Sequence, residues 1–404
     1  MKKLLHSLLC LSCMVTATHA QNNYNEISLP ALMEKKQQRD NNMVIVDVRT
    51  KGEYCDTVSR NKQSNIGRIK DAINIELREL QQNPEAIKQL EPYKDKEIYL
   101  ICSHSYRSRS ASNILLKNGF NHVNNVQGGM TEWFRRYDEL APYREQFYET
   151  ANSYKNISPG QLLNLLSSGE KVQLIGITNT PRFFWDSATV RFYQYYPSFK
   201  NAAYFSYADS LKILEQAQRA KGKSIVLFNM VNNGAAETTD WLTQKGIPNA
   251  AYLVGNSNLF YEFFRNKNPA QKTSKFIGLK SNINFITAPN YCGKLEAGNL
   301  VLVDLRHDSL YNKVNKGTKH DYKHLANSVN FFEKNGVDQF EKQFTDKKKN
   351  YVFISENGVD GLALADDLTK KGYTISWLIG GLQRWEWYMN NVEDFGCNDS
   401  LVKE

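Results

Sequence analysis

The chain has 404 residues, 41% of them apolar and 12% aromatic, with a net charge of +9. That length exceeds one ordinary core and implies two to four domains, and the composition excludes a disordered chain. The basic residues are scattered, and the densest run, Lys347-Lys348-Lys349, has no nucleic-acid-binding motif beside it, so it reads as a solvated turn and no nucleic-acid partner is expected.

Residues 1–20 read as an export signal. Met1-Lys2-Lys3 supplies charge, Leu4 to Val15 an apolar stretch too short to span a bilayer, and Thr18-His19-Ala20 small residues ahead of Gln21. A lipoprotein site at Cys13 is the alternative, disfavoured by Cys10 standing where that site prefers leucine. No later segment is long and apolar enough to span. The mature protein is therefore expected to be soluble, periplasmic or secreted, in an oxidising compartment. Loss of Lys2 and Lys3 lowers the net charge from +9 to +7, an excess that suits small anionic substrates. The mature cysteines are Cys55, Cys102, Cys292 and Cys397. None forms a C-x-x-C pair, so no metal or cofactor is expected.

A first repeat starts near Ile27. Met43 to Arg49 reads as an apolar strand ending in an acid and a base, Arg68 to Ile75 as a second strand, and Ile98-Tyr99-Leu100-Ile101 as a third that runs into Cys102. Ala111, Ile114 and Leu115 share one helical face, and Gly119 closes that helix. Val123 to Val126 is a further strand, and Gly128-Gly129 turns the chain into a last helix carrying Trp133. Strands alternating with helices imply a parallel sheet, with the ligand at the carboxyl ends of the strands. Cys102 and the Asp47–Arg49 turn both fall at that end.

The same landmarks recur twice. The middle copy is fainter: Lys171 to Gly176 stands for the first strand, Ile225 to Asn229 for the cysteine strand, and Gly246 for the helix end. It carries an aromatic stretch, Phe192-Tyr193-Gln194-Tyr195-Tyr196 followed by Phe199, Tyr204, Phe205 and Tyr207, which suits either a core or an interface. In the third copy Val301 to Arg306, His324 to Asn330, Tyr351 to Ser355, Gly372 and Gly380-Gly381 with Trp385 follow in order. Cys292 and Cys397 bracket this copy, either as a disulfide or as two free or buried thiols. Alignment on Gly119, Gly246 and Gly372 puts Asn229 and Ser355 opposite Cys102, and Gly234 and Asp360 opposite Arg107. Polar linkers run from Asp138 to Asn156 and from Asn266 to Asn282. Units of this length hold their own cores, which argues for a triplicated domain rather than a solenoid.

The chemistry gathers at Cys102. A tight loop after a strand can turn its N–H groups around the sulfur, the next helix adds the positive end of its dipole, and Arg107 adds a full charge. Asp47-Val48-Arg49 with Glu53-Tyr54, Ala72-Ile73-Asn74, Cys102 with Arg107-Ser108, and Gly128-Gly129 with Trp133 together resemble a rhodanese domain, and the third repeat keeps most of that frame. The resemblance implies an α/β chain of three tandem rhodanese-like domains, over 21–140, 155–268 and 282–395, each a parallel five-stranded sheet flanked by helices. It also implies a sulfurtransferase. Sulfane sulfur would pass from a donor such as thiosulfate to a thiol or cyanide acceptor through a persulfide on Cys102. On this pattern Cys102 is the nucleophile. The backbone N–H groups of Ser103, His104, Ser105, Tyr106, Arg107 and Ser108 hold the sulfur and the donor's charge, and Arg107 binds the donor's sulfonate end. The six residues from Cys102 to Arg107 make a loop one residue shorter than in the related dual-specificity phosphatases, which favours sulfur over phosphate. Ser105 departs from the pattern, which carries glycine there, and implies strain or altered selectivity.

Other residues carry plainer expectations. Asp47 and Arg49 brace the loop by ion pairing, His104 faces solvent, and Trp133 and Trp385 belong to the core. Cys55 is either an inert thiol or a partner that resolves Cys102 as a disulfide. Asn229 and Ser355 cannot carry a persulfide, so repeats two and three pack against the first or bind a protein partner. The alternative to an enzyme is a scaffold or thiol-redox protein in which the same fold mainly binds partners.

Overall fold

The computed structural model describes residues 24–178, 195–230, 234–292, 299–312, 324–392 and 395–397. The export-signal residues 1–20 and the start of the aromatic stretch, Phe192 to Gln194, lie outside the described residues.

Three five-stranded parallel sheets carry the chain, and their strands follow one order. In the first sheet Asn25–Ile27 lies at one edge, followed by Val123–Val126, Glu97–Ile101, Met43–Asp47 and Ile73–Asn74. In the second the order is Lys155–Ile157, Ala250–Asn256, Ser224–Asn229, Val172–Thr178 and Ala203–Ser206. In the third it is Asn284–Ile286, Thr374–Leu378, Asn350–Ile354, Leu300–Asp304 and Val329–Asn330. The cysteine strand and its two counterparts each occupy the middle of a sheet. The loop that follows is therefore held by neighbours on both sides, and it opens at the carboxyl end where such sheets bind ligands.

Both faces of each sheet are covered, as near-continuous apolar strands require. Because side chains alternate along a strand, Val44, Val46, Ile98 and Leu100 pack into one cluster and Ile45, Tyr99 and Ile101 into another. That second cluster continues without a break to Ile175, Ile177, Ile225 and Leu227 of the second sheet. The opposite face of the second sheet, with Leu174, Val226 and Phe228, joins Val303, Phe353 and Trp377 of the third. The aromatic stretch serves core and interface together: Tyr196 is fully buried, and its ring lies 4.8 Å from that of Phe285 in the third repeat.

Local details depart from the sequence reading. Arg68 to Ile75 is two short strands, because Asp71 turns the chain at φ 65°. Arg68–Ile69 pairs antiparallel with Tyr148–Glu149, and only Ile73–Asn74 joins the main sheet. The segment read as the first linker contains the helix Tyr137–Phe147, with Pro142 inside it and Leu140 and Phe147 buried. Cys292 and Cys397 form a disulfide, with Cα atoms 5.7 Å apart. No helix among the described residues is long and apolar enough to cross a membrane.

Candidate functional site

Cys102 stands one residue past the strand Glu97–Ile101 and is 1% exposed. The 12-residue helix Tyr106–Lys117 begins four residues later. Ser105 precedes that helix in the left-handed region, at φ 73°, the conformation for which the family pattern uses glycine. Serine is held there by full burial and by its hydroxyl, which donates to the Val126 carbonyl at 3.1 Å. The turn aims the loop's N–H groups away from the ladder. Among the described residues, no acceptor takes the amide N–H of Ser103, His104, Ser105, Arg107 or Ser108. Unclaimed amides clustered beside a cysteine at a helix start make a cradle for an anion. The hydroxyl of Ser108 lies 3.5 Å from the Cys102 sulfur.

The double glycine explains how the loop is supported. Met130 N–H donates to the Cys102 carbonyl at 2.8 Å, and the Thr131 hydroxyl to the Ser103 carbonyl at 3.1 Å. A Cβ on Gly129 would fall 2.2 Å from that Cys102 oxygen, and Gly129 has φ 62°. Only glycine lets the chain pass so close.

Arg107, which the resemblance directs at a donor's sulfonate, has both Nη groups on Glu53, at 2.6 and 2.7 Å, and one on the Ser103 hydroxyl at 3.0 Å. Burial alone would push the Glu53 carboxyl up, but this pair, with help from Thr50, holds it down at about 2. Asp47 and Arg49 are fully buried and bind each other, the shortest contact being 2.7 Å, and Arg49 also donates to the Gly67 carbonyl. Neither touches Cys102, so they frame the neighbouring turn. His104 keeps an exposed ring. Desolvation in the cleft and the guanidiniums of Arg135, Arg107 and Arg384 lower its pKa to about 4. With the ring open to solvent, the cations are the cause that counts. Tyr106 is 63% exposed at the helix start. Cys55 caps the short helix Lys51–Tyr54 and is a free thiol, as is Cys102. Trp133 and Trp385 are fully buried.

The counterpart loops fill themselves. In the second repeat Asn229 accepts from Ala235 N–H at 2.9 Å through Oδ1 and donates through Nδ2 to the Tyr252 hydroxyl at 3.0 Å. In the third, Ser355 accepts from Gly358 N–H at 3.0 Å, and Asn357 from Val359 N–H at 3.0 Å. The frame around them is otherwise retained: Arg306 grips Asp304 as Arg49 grips Asp47, and Gly381 lies against the Ser355 carbonyl as Gly129 does against that of Cys102.

Sequence reasoning named Glu53 only as part of a motif. Thr50-x-x-Glu53 is a capping-box pattern, realised in both directions, and that signal was available. Arg135, Arg384 and Trp387, which meet beside the loop, gave no local signal.

The sequence profile of the Rhodanese-like domain matches residues 30–136 and 290–387, together just over half of the chain. The tRNA uridine(34) hydroxylase of Cytophaga hutchinsonii is 30% identical over 104 residues, which is 26% of this chain and 30% of that protein. The enzyme of the same name from Acinetobacter baylyi is 31% identical over 108 residues, again 26% and 30%. The chain thus matches under a third of the length of these curated relatives. A solved structure of EanB in complex with ergothioneine aligns over 91% of this chain and 98% of that one at 15% identity, with a TM-score of 0.26, a likeness too weak to bear on the chemistry. With the profile match at both ends, the same strand order in all three sheets, and the glycine-supported loop in the first and third, the chain belongs to the rhodanese-like family, as three tandem copies of which only the first carries the cysteine.

Proposed function

We propose that the first repeat is a sulfurtransferase that carries sulfane sulfur as a persulfide on Cys102. The observation that supports this most is the run of unclaimed amides beside Cys102, with the Ser108 hydroxyl at its sulfur. Preorganised donors around a developing anion are worth more than any other single catalytic device. With thiosulfate as donor, the Cys102 thiolate attacks the outer sulfur, the new S–S bond forms, and sulfite leaves with the electron pair of the bond that breaks. A thiolate or cyanide then takes the outer sulfur and returns Cys102 to the thiolate. Repeats two and three have no thiol at the equivalent site, and their own side chains occupy loop amides. Their role is to build the surroundings of the first loop. The reading includes export through residues 1–20, and the Cys292–Cys397 disulfide favours an oxidising compartment.

The test is intact mass of the reduced, mature protein after incubation with thiosulfate. One added sulfur atom is expected, removed by cyanide and absent from Cys102→Ala. The proposal fails if the wild type takes up no sulfur, or if Cys102→Ala takes it up equally.

A further inference from the structure

A cavity of about 350 Å³ lies where the three repeats meet, next to the cysteine loop. Ser103, His104 and Arg135 line it from the first repeat, Asn229 from the second, and Arg384 and Trp387 from the third. The Trp387 ring carries two guanidiniums, Arg135 at 3.5 Å and Arg384 at 4.4 Å from its centroid. These cations are unequally matched. Arg384 holds Glu262 through hydrogen bonds of 2.8 and 3.0 Å. Arg135 makes no hydrogen bond among the described residues, and its nearest carboxylate oxygen, on Glu132, is 3.7 Å away. Glu132 is a poor counter-ion. Burial pushes its carboxyl above the ordinary range against the pull of Arg135, and its Oε1 has no hydrogen-bond partner. The cleft therefore holds a guanidinium with donors to spare, and its nearest wall, at Ser103, is the residue next to the cysteine.

We propose that this cavity is the acceptor site, and that the acceptor is a small thiol bearing a carboxylate, held through that carboxylate by Arg135. The inference rests on the sulfurtransferase reading above. Thiosulfate is not the occupant: its charge is met by the amide cradle at Cys102, whereas the cavity beside that loop offers a separate cation and room for a small organic ligand. A planar guanidinium fits a carboxylate with two parallel hydrogen bonds, and stacking on Trp387 fixes its plane. Ser103 and His104 are the first residues after Cys102, so their wall of the cavity lies within roughly 7 Å of the Cys102 backbone. In the transfer step the acceptor's thiol first loses its proton to solvent. Its thiolate attacks the outer sulfur of the Cys102 persulfide and a new S–S bond forms. The old S–S bond breaks, its electron pair stays on Cys102 as thiolate, and the product leaves as a carboxylate-bearing persulfide.

The experiment loads the full mature chain with thiosulfate, verifies the adduct by intact mass, and follows its discharge by thioglycolate, mercaptoethanol and cysteamine. Rates are compared per unit of thiolate. Thioglycolate is expected to discharge the persulfide roughly tenfold or more faster than mercaptoethanol, the size of a charge-assisted hydrogen bond, with cysteamine slowest. Acetate should compete with thioglycolate and leave mercaptoethanol unaffected, a readout that needs no variant. Arg135→Ala should erase the preference and Arg135→Lys keep part of it, each checked for folding by thermal unfolding. If no adduct forms, the sulfurtransferase reading itself has failed. If the adduct forms but the wild type shows no preference for thioglycolate, or folded Arg135→Ala keeps it, the acceptor-site inference is overturned.

Discussion

Ser108 has one hydroxyl proton and two claims on it. It donates to the Ser105 carbonyl at 3.0 Å and lies 3.5 Å from the Cys102 sulfur. With Cys102 protonated, the carbonyl can take the bond. Once the thiolate forms, the proton is worth more on the sulfur, since hydrogen bonds to charged groups stabilise by about 1.5–3 kcal/mol. Ser108→Ala is therefore expected to slow sulfur loading by roughly ten- to a hundredfold, read as the rate of sulfite release, while leaving the fold intact. Glu53 acts on Arg107 instead. Its pKa is near 2 in the folded chain against an ordinary 4.5, and its side chain is only 13% exposed. A depressed carboxyl stabilises the fold above its unfolded pKa and loses that contribution as pH falls toward the folded value. The shift corresponds to about 3 kcal/mol at neutral pH. Glu53→Gln should therefore be less stable than wild type in urea at pH 7. The gap should shrink to under about half by pH 3, because the unfolded chain's carboxyl is protonated there and holding the folded one ionised costs the difference. A gap of equal size at both pH values would mean that the pair is not what Glu53 contributes.

At the scale of elements, the first and third repeats offer a matched comparison. A Cβ on Gly129 would sit 2.2 Å from the Cys102 carbonyl, and one on Gly381 2.2 Å from the Ser355 carbonyl, both at positive φ. Gly129→Ala and Gly381→Ala should each cost about 1–3 kcal/mol in chemical denaturation, through strain and overpacking. Only Gly129→Ala should impair sulfur loading, because only its loop holds a cysteine. Equal loss of loading in both would show that the effect is general unfolding. This correspondence was legible in the sequence, since the double glycines follow matching strands and each is followed, four residues after its second glycine, by a tryptophan. The order of strands and the cysteine loop were legible for the same reason: apolar runs, helix periodicity and glycine stops are local signals. The helix Tyr137–Phe147 was not, because its composition is polar and Pro142 reads as a breaker. Pro142 is tolerated within a helix pinned by buried Leu140 and Phe147. Arg135, Arg384 and Trp387 were also beyond reach, since residues far apart in sequence meet only when the third repeat packs against the first.

The whole molecule is joined more closely than three tandem domains need be. Apolar clusters run unbroken from the first sheet to the second and from the second to the third. Polar contacts cross the same boundaries: Lys62 bonds Asp240 at 2.6 Å, and Arg384 grips Glu262 across the second boundary. Separate domains would unfold in separate steps, whereas shared cores couple them. Equilibrium denaturation of the oxidised chain is therefore expected to show one transition, the same by tryptophan fluorescence and by far-UV circular dichroism. The disulfide bears on the last repeat alone. It links residues 105 apart, and crosslinks of that span typically contribute about 2–4 kcal/mol by restricting the unfolded chain. Replacing Cys292 and Cys397 together by alanine should destabilise the third repeat by that amount. Coupling through the shared core then decides what is seen. If the cores bind the repeats into one unit, the variant keeps a single transition at a lower denaturant midpoint. If the variant instead unfolds in two steps, with the cysteine strand Glu97–Ile101 still protected from hydrogen exchange after the first, the third repeat is an independent domain. In that case the cavity at the junction could open without unfolding the catalytic repeat.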